Sequence, residues 1–260
     1  ETGRGTKCEE GSIATKQKTL SDLVKKGSYI SMTPTSTSYK IPTSVTGYSS
    51  TQTINPSELN LWRVIRKNAD GTIDVVSQYI SSSTVAFSTA EITIGTNKIT
   101  YDGFANLVNG LNIIAAQYTN SVYVQSTRHM GFSNQVLVCP SSTSCNTDDG
   151  HMVDFSLVRS ALNGVIATKA NGTVGSYWLA SRVIDGGGTI CGESGCSITM
   201  PTYYGRYVST DGTVSDGIIC RANQSYCSRS RYSIRPILTL KSDLKIISGS
   251  GTASSPYVLN

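Results

Sequence analysis

Apolar positions that repeat at helical spacing predict two main helices. Over residues 101–118 the apolar side chains recur every three or four residues and would form one buried stripe. That stripe consists of Phe104, Leu107, Val108, Leu111, Ile114 and Ala115. Gly110 within the same helix costs about 1 kcal/mol relative to alanine, which indicates close packing there. A second helix is predicted over residues 152–167, with a stripe of Phe155, Val158, Leu162 and Val165.

Alternating apolar and polar positions predict β-strands around these helices. The clearest signal is a hairpin, with strands over residues 59–66 and 72–79 and a turn at Asp70-Gly71. Trp62 in this hairpin and Trp178 lie inside strand patterns and are predicted core anchors. Further strands are predicted at residues 29–32, 177–181, 204–209, 234–240 and 255–259. We expect the last strand to return and pair near the first.

The order of these elements predicts one α+β domain over residues 28–260. Residues 8–27 are interpreted as a short N-terminal helical stub, with Ser21 able to cap its final turn and a stop at Gly27. Residues 1–7 begin with Glu-Thr-Gly and are interpreted as a remnant of an expression vector for secretion. No stretch approaches the roughly 20 apolar residues of a membrane span.

Composition favours an extracellular, β-rich protein. Charged residues make up 15% of the 260 residues, and Tyr (14) outnumbers Phe (4). The formal net charge of +5 is scattered along the chain, so the sequence gives little support to a nucleic-acid partner. We expect no cofactor and no bound metal.

Six of the seven cysteines form close pairs along the chain. The pairs are Cys139/Cys145, Cys191/Cys196 and Cys220/Cys227, with Cys8 left over. Their spacing is wider than that of a typical zinc-binding pair, and only His151 lies near any of them. We therefore interpret the pairs as short-loop disulfides formed in an oxidising compartment.

The candidate binding site is a set of tyrosines and arginines in the last third of the chain. These residue types are enriched in binding hot spots, and two predicted disulfides flank them. The predicted ligand-binding residues are Tyr203, Tyr204, Arg206, Tyr207, Arg229, Arg231 and Tyr232. Strand alternation would bury about half of them, and we expect Tyr204 and either Arg206 or Tyr207 to point inward.

The two histidines, His129 and His151, carry no catalytic motif. We expect each to be a surface or capping residue, and we assign no catalytic residue.

The segment 55–68, which contains Leu-Asn-Leu-Trp-Arg-Val, resembles the ectodomains of prepilin-like, type IV pilin-related surface proteins of Firmicutes. The segments 126–131, 177–182 and 249–259 carry the same resemblance, which covers most of residues 28–260. It implies a Gram-positive cell-surface or pilus protein whose N-terminal pilin helix is missing here, the helical stub being its remnant. Contact with a membrane would be made only through that helix.

Residues 177–181, a long excursion and then Arg235-Pro236-Ile237-Leu238 are similar to the end of a C-type-lectin-like domain. That resemblance implies antiparallel sheets, two helices, paired terminal strands and long disulfide-bridged loops. The Glu-Pro-Asn, Gln-Pro-Asp and Trp-Asn-Asp motifs of calcium-dependent sugar binders are absent from the sequence, so calcium-dependent sugar binding is not expected.

These patterns lead to one main hypothesis and two alternatives. The main hypothesis is a non-enzymatic adhesin-like domain that binds an extracellular host or environmental protein or glycan through its C-terminal loops. The first alternative is a structural pilus subunit that mainly contacts other pilin subunits. The second is a secreted hydrolase that uses His129 or His151.

Overall fold

The helices of the computed structural model are few and short. The structure describes residues 18–48, 50–88, 92–94, 97–99, 102–130, 136–139, 153–185, 189–192, 195–198, 202–221 and 230–260. Within these residues the α-helices are α1 (Leu20–Leu23), α2 (Thr43–Thr46), α3 (Asp102–Ala115) and α4 (Val153–Leu162). Short 3-10 helices span Pro56–Glu58 and Ala116–Tyr118. None of the described helices has the length and apolar character needed to cross a membrane.

Most of the regular secondary structure in the described residues is β-strand. The strands are β1 (Tyr29–Ser31), β2 (Tyr39–Ile41), β3 (Gln52–Ile54), β4 (Leu61–Lys67), β5 (Ile73–Ser77), β6 (Val85–Ala86), β7 (Ile92–Ile94), β8 (Asn97–Ile99), β9 (Val124–His129), β10 (Val136–Cys139), β11 (Ala167–Thr168), β12 (Val174–Gly175), β13 (Tyr177–Asp185), β14 (Thr189–Gly192), β15 (Gly195–Ile198), β16 (Thr202–Val208), β17 (Val214–Arg221), β18 (Arg231–Tyr232), β19 (Pro236–Leu240), β20 (Ile246–Ser248) and β21 (Tyr257–Leu259). The protein is therefore α+β, as predicted.

A seven-stranded sheet forms the centre of the fold. Its order is β20-β21-β1-β4-β5-β19-β9, and the predicted hairpin forms its middle as β4 and β5. The last strand, β21, runs parallel to β1, so the expected pairing of the first and last strands is confirmed. The other neighbouring strands of this sheet are antiparallel.

Each face of the central sheet is covered by one helix. On one face, side chains of α3 such as Leu111 pack with Trp62, Val75 and Leu238. On the other face, α4 packs on the sheet through side chains of the second core cluster, which contains Phe155, Val158, Ile65, Val76 and Ile237. All five residues of β5 are buried because this strand is covered on both faces. Alternation alone would have buried only one face of the strand.

A second sheet, β10-β13-β16-β17, packs against α3. Trp178 on β13 is fully buried, and its indole nitrogen donates to the carbonyl oxygen of Val85 over 2.7 Å. A Cβ added at Gly205 of β16 would lie 2.7 Å from this indole and 2.9 Å from Leu107. Trp62 is also fully buried, so both predicted core anchors are confirmed.

The prediction for α3 is confirmed, whereas α4 ends five residues before the predicted boundary. A Cβ at Gly110 of α3 would lie 2.7 Å from the carbonyl oxygen of Val45, which confirms the close packing. The α4 helix stops at Leu162 because Asn163 and Gly164 adopt positive φ angles of 56° and 150°. Val165 is nevertheless buried, from the loop that follows the helix.

The N-terminal helix is a single turn in the described residues. Thr19, rather than the expected Ser21, caps it through a capping box with Asp22. Leu20 is fully buried, and its backbone nitrogen donates to the carbonyl oxygen of Leu244 over 2.7 Å. This turn is therefore packed on the domain, while residues 8–17 of the predicted stub lie outside the described residues.

Candidate functional site

Some residues of the predicted tyrosine and arginine site are buried in the structure, and others are partly or fully exposed. Tyr203 and Arg206 are buried, at 4% and 2% exposure, whereas Tyr204 and Tyr207 are half-buried. The inward-facing tyrosine is thus Tyr203 rather than the expected Tyr204. A register shift between these two residues interrupts the alternation of side chains along the strand. Arg229 lies outside the described residues.

Arg206 faces an acidic residue on the adjacent strand. β16 and β17 place it opposite Asp216, and its Nε lies 3.4 Å from Asp216 Oδ1. The sequence did not reveal this pair, because it depends on the register between two strands. A side chain that is buried and paired in this way offers no surface to a large ligand.

Three of the remaining predicted residues, Tyr207, Arg231 and Tyr232, make two ring contacts, and the structure adds Tyr48 to one of them, whereas Tyr204 takes part in neither. We call Tyr48, Tyr207, Arg231 and Tyr232 the Tyr48–Tyr232 surface. Tyr207 and Tyr232 stack with their ring centroids 3.8 Å apart and an interplanar angle of 16°. Burial raises the pKa of Tyr232, and the hydrogen bond with Tyr207 raises it further, so its hydroxyl stays neutral.

Arg231 extends this surface into solvent. It is exposed, its guanidinium carbon lies 4.7 Å from the ring centroid of Tyr48, and its Nη2 donates to the Tyr48 hydroxyl. A guanidinium over an aromatic ring is held in place while its other donors remain directed to solvent. Tyr48 was missed because it lies far from Arg231 in the sequence.

The predicted disulfides are described only in part. The side chains of Cys139, Cys191, Cys196 and Cys220, and the whole of Cys8, Cys145 and Cys227, lie outside the described residues. The backbone register places Cys191 directly opposite Cys196 in the β14–β15 hairpin. The pairing itself stays a prediction.

His129 is buried, contrary to the expectation of a surface or capping residue. It lies at the end of β9, between the central sheet and α3, and is 1% exposed. Burial lowers the pKa of its ring to about 4, although the bond between Nδ1 and the carbonyl oxygen of Met130, 3.3 Å long, opposes this shift. His151 lies outside the described residues.

A cleft of about 280 Å³ lies beside the C-terminal end of α4. Three polar side chains from the central sheet line it, namely Arg63 on β4, Gln78 just after β5 and Arg235 just before β19. The segments 162–164 and 166–168 form the rest of the lining. All three side chains lie within predicted strands, and no pattern in the sequence marks them as a site.

Arg235 is 1% exposed and is held by oxygens without formal charge. Its Nε donates to the carbonyl oxygen of Ser77 over 3.2 Å, and its Nη1 donates to the carbonyl oxygen of Val165 over 3.1 Å. Nη1 also donates to the hydroxyl of Tyr177 over 3.2 Å, and the guanidinium carbon lies 5.1 Å from the centre of that ring. Its charge therefore has no ionised partner in these contacts.

Arg63 is held in a similar way. Its Nε donates to the carbonyl oxygen of Gly27 over 2.8 Å, and its Nη1 donates to the Tyr29 hydroxyl over 2.8 Å and to Gln78 Oε1 over 3.3 Å. The guanidinium carbon lies 4.0 Å from the ring centroid of Tyr29. The cleft thus brings two guanidinium groups and one carboxamide together.

Comparison with protein-family models, with curated proteins and with solved structures gives no match for this chain. Among the described residues, no group of three or more His, Cys, Asp or Glu side chains is placed to hold a metal ion. The resemblances to pilin-like and lectin-like proteins therefore stay predictions.

Proposed function

We propose that this chain is an extracellular, pilin-like surface domain of a Gram-positive bacterium that binds a host or environmental protein or glycan. The Tyr48–Tyr232 surface would make the contact. The observation that carries this proposal is that Tyr207 stacks on Tyr232 while the adjacent Arg231 stacks on Tyr48.

The chemistry of this surface supports recognition of a large ligand. Tyrosine and arginine provide broad contact area together with polar ends, and they dominate binding hot spots. Tyr232 also contacts the buried Trp178 edge-on, with 4.6 Å between the ring centroids. Anchoring in the core reduces the side-chain entropy lost on binding.

The arrangement of elements supports a C-type-lectin-like fold as the finer description. The first and last strands pair, two main helices cover the central sheet, and the chain between β13 and β19 builds much of a second sheet. Such a scaffold holds variable surface segments on a rigid base. Fold likeness alone supplies no function, so the proposal depends on the surface residues.

The enzymatic alternative finds no support at His129. A general base must come within hydrogen-bonding distance of a substrate proton, and the ring of His129 is buried. The pilus-subunit alternative would use the same surface for contact between neighbouring copies, so the experiment below is chosen to separate it.

The proposal is tested by screening the protein against extracellular receptor ectodomains and a glycan array. A Tyr48→Ala/Arg231→Ala variant should abolish a specific hit, because it removes the exposed cation and the ring beneath it. Tyr123→Ala/Arg159→Ala is the matched control, since it removes a half-buried tyrosine and an exposed arginine elsewhere. Thermal unfolding should show that both variants are folded.

Two outcomes would contradict the proposal. The first is a hit that both double variants retain or lose equally. The second is the absence of any hit together with self-association at this surface, which would favour the pilus-subunit function.

A further inference from the structure

We propose that the cleft between α4 and the central sheet binds an oxyanion, namely a carboxylate or sulfate group of a small ligand. Arg63 and Arg235 would bind the anion, and Gln78 would act as a third donor. This inference is independent of the proposed adhesive function, because it depends on other residues.

The first argument is that each arginine keeps an unused nitrogen. No residue in the described part of the chain accepts a hydrogen bond from Nη2 of Arg235 or Nη2 of Arg63. Arg235 lines the cleft, and its Nη2 is not among the unpartnered atoms that are sealed from solvent. A guanidinium that is almost completely buried and still has a free N–H pair requires an acceptor.

The second argument is that the charge in the cleft is not neutralised. The lining contains no Asp or Glu, and no carboxylate of the described residues lies within 4.0 Å of either guanidinium. Burial, and the charge of Arg235 in addition, lower the pKa of Arg63, while Tyr29 opposes this shift. Two cations that are placed together and partly withdrawn from water favour an anion between them.

The nearby helix end does not account for this arrangement. Cations are favoured at a helix C-terminus because they interact with the negative end of the helix dipole. Lys26 already lies at that end of α4, where its Nζ donates to Ser160 Oγ over 2.5 Å. Arg235 bonds to the carbonyl oxygen of Val165, beyond the last helical residue, so the helix end leaves both Nη2 atoms without an acceptor.

The third argument is the geometry of the donors. Gln78 Oε1 accepts from Arg63, so the amide nitrogen of Gln78 remains as a donor with no acceptor among the described residues. Guanidinium groups match the planar fork of a carboxylate and the oxygens of a sulfate. A cleft of about 280 Å³ restricts the ligand to a small solute or to one terminal group of a larger molecule.

Isothermal titration calorimetry at constant ionic strength tests the proposal, with sodium glucuronate and sodium sulfate as probes and glucose as the neutral comparison. Constant ionic strength separates specific binding from screening. Arg63→Gln removes one donor group, and Gln78→Glu supplies an internal carboxylate in place of the ligand. Lys241→Gln is the matched control, because it changes the net charge by the same amount away from the cleft.

We expect saturable binding of at least one anion, and none of glucose. Arg63→Gln and Gln78→Glu should each weaken binding by at least about tenfold, because a charge-assisted hydrogen bond is lost or occupied. Lys241→Gln should bind as the parent protein does. Binding of glucuronate alone would identify a carboxylate ligand, and binding of sulfate alone would identify a sulfated one.

Three results would overturn the proposal. They are no saturable binding of either anion, binding that survives both cleft variants, and an equal weakening in Lys241→Gln. If Arg63→Gln unfolds, Gln78→Glu still decides the matter, since it exchanges groups of nearly equal size.

Discussion

Two polar clusters lie on the same face of the central sheet, on either side of the apolar contact with α4. Along β5 every second residue faces α4, and β19 supplies the residues opposite Asp74 and Val76, while Gln78 and Arg235 continue the two series just beyond the strands. The series on the two strands are Asp74, Val76, Gln78 and Thr239, Ile237, Arg235. The apolar pair in the middle is flanked by Asp74 at one end and by the arginine cleft at the other.

The two clusters differ in how completely their charges are satisfied. Asp74 accepts from Arg66 Nε at 3.0 Å, from Arg66 Nη2 at 2.5 Å and from Thr239 Oγ1 at 2.8 Å. It also accepts from Asn68 Nδ2 at 3.2 Å, and Arg128 lies 3.7 Å away. The arginines of the cleft meet only neutral oxygens in the described residues. A saturated cluster stabilises the fold, whereas an unsaturated one is available to a ligand.

Removal of the buried carboxylate should give the largest effect. Asp74→Ala leaves Arg66, Asn68 and Thr239 without their shared acceptor, and should lower the free energy of unfolding by about 3–4 kcal/mol. Urea unfolding at neutral pH measures this change. Asp243→Ala, at an exposed site, should stay within about 0.5 kcal/mol of the parent protein. A similar small change for Asp74→Ala would show that the Asp74 cluster is not the stabilising one.

The α3 face of the central sheet differs from the α4 face because it buries the titratable ring of His129, which should make stability depend on pH. The pKa of this ring falls from 6.5 to about 4 in the folded protein, so the unfolded chain binds a proton that the folded protein does not. The contribution of the neutral His129 ring to the free energy of unfolding is complete above pH 6.5 and is lost as the pH falls. The free energy of unfolding should decrease by about 2 kcal/mol between pH 7 and pH 5.

Urea unfolding across that range, compared between the parent protein and His129→Leu, measures the contribution of this ring. The difference between the two proteins should shift in favour of the variant by that amount as the pH falls. A difference that stays constant with pH would show that the ring is not buried in its neutral form.

Local patterns predicted the parts of the fold that depend on sequence neighbours. The β4–β5 hairpin and α3 follow from periodicity and turn chemistry. The end of α4 was misplaced because Val165 continues the apolar stripe, whereas the positive φ angles at Asn163 and Gly164 end the helix. Apolar periodicity records burial, and a buried residue can also lie in a loop.

The sites were harder to predict because they join distant strands. Arg63 and Arg235 are far apart in the sequence, and only the order β4-β5-β19 brings them to one cleft. The burial of Arg206 likewise depends on its register with Asp216. Residue type indicated that tyrosine and arginine matter in this chain, but the partner of each side chain is set by strand pairing.

The α3 helix packs closely at Gly110, whereas an open cleft lies beside α4. Gly110→Ala gains about 1 kcal/mol of helix propensity, but its methyl group would meet Val45 O at 2.7 Å and Phe87 Cε1 at 2.9 Å. We expect a net loss of about 1–2 kcal/mol, measured by urea unfolding. Asn109→Ala, at the exposed neighbouring position, should be neutral or slightly stabilising. Stabilisation by Gly110→Ala would show that this face is not closely packed.

Gln78→Glu would convert the arginine cleft into a cluster like that of Asp74. We expect this substitution to give the smallest change in stability. Gln78→Glu places a carboxylate where Arg63 already donates to the amide oxygen, close to the uncompensated charge of Arg235. Because Gln78 is half-buried, the new ion pair should raise the free energy of unfolding by only about 1 kcal/mol at neutral pH. Thr168→Glu, on the same cleft but without an existing bond from Arg63, is a useful comparison and should gain less. A loss of stability in Gln78→Glu would mean that the two arginines are already compensated, and that the two ends of this sheet face do not differ in charge as argued.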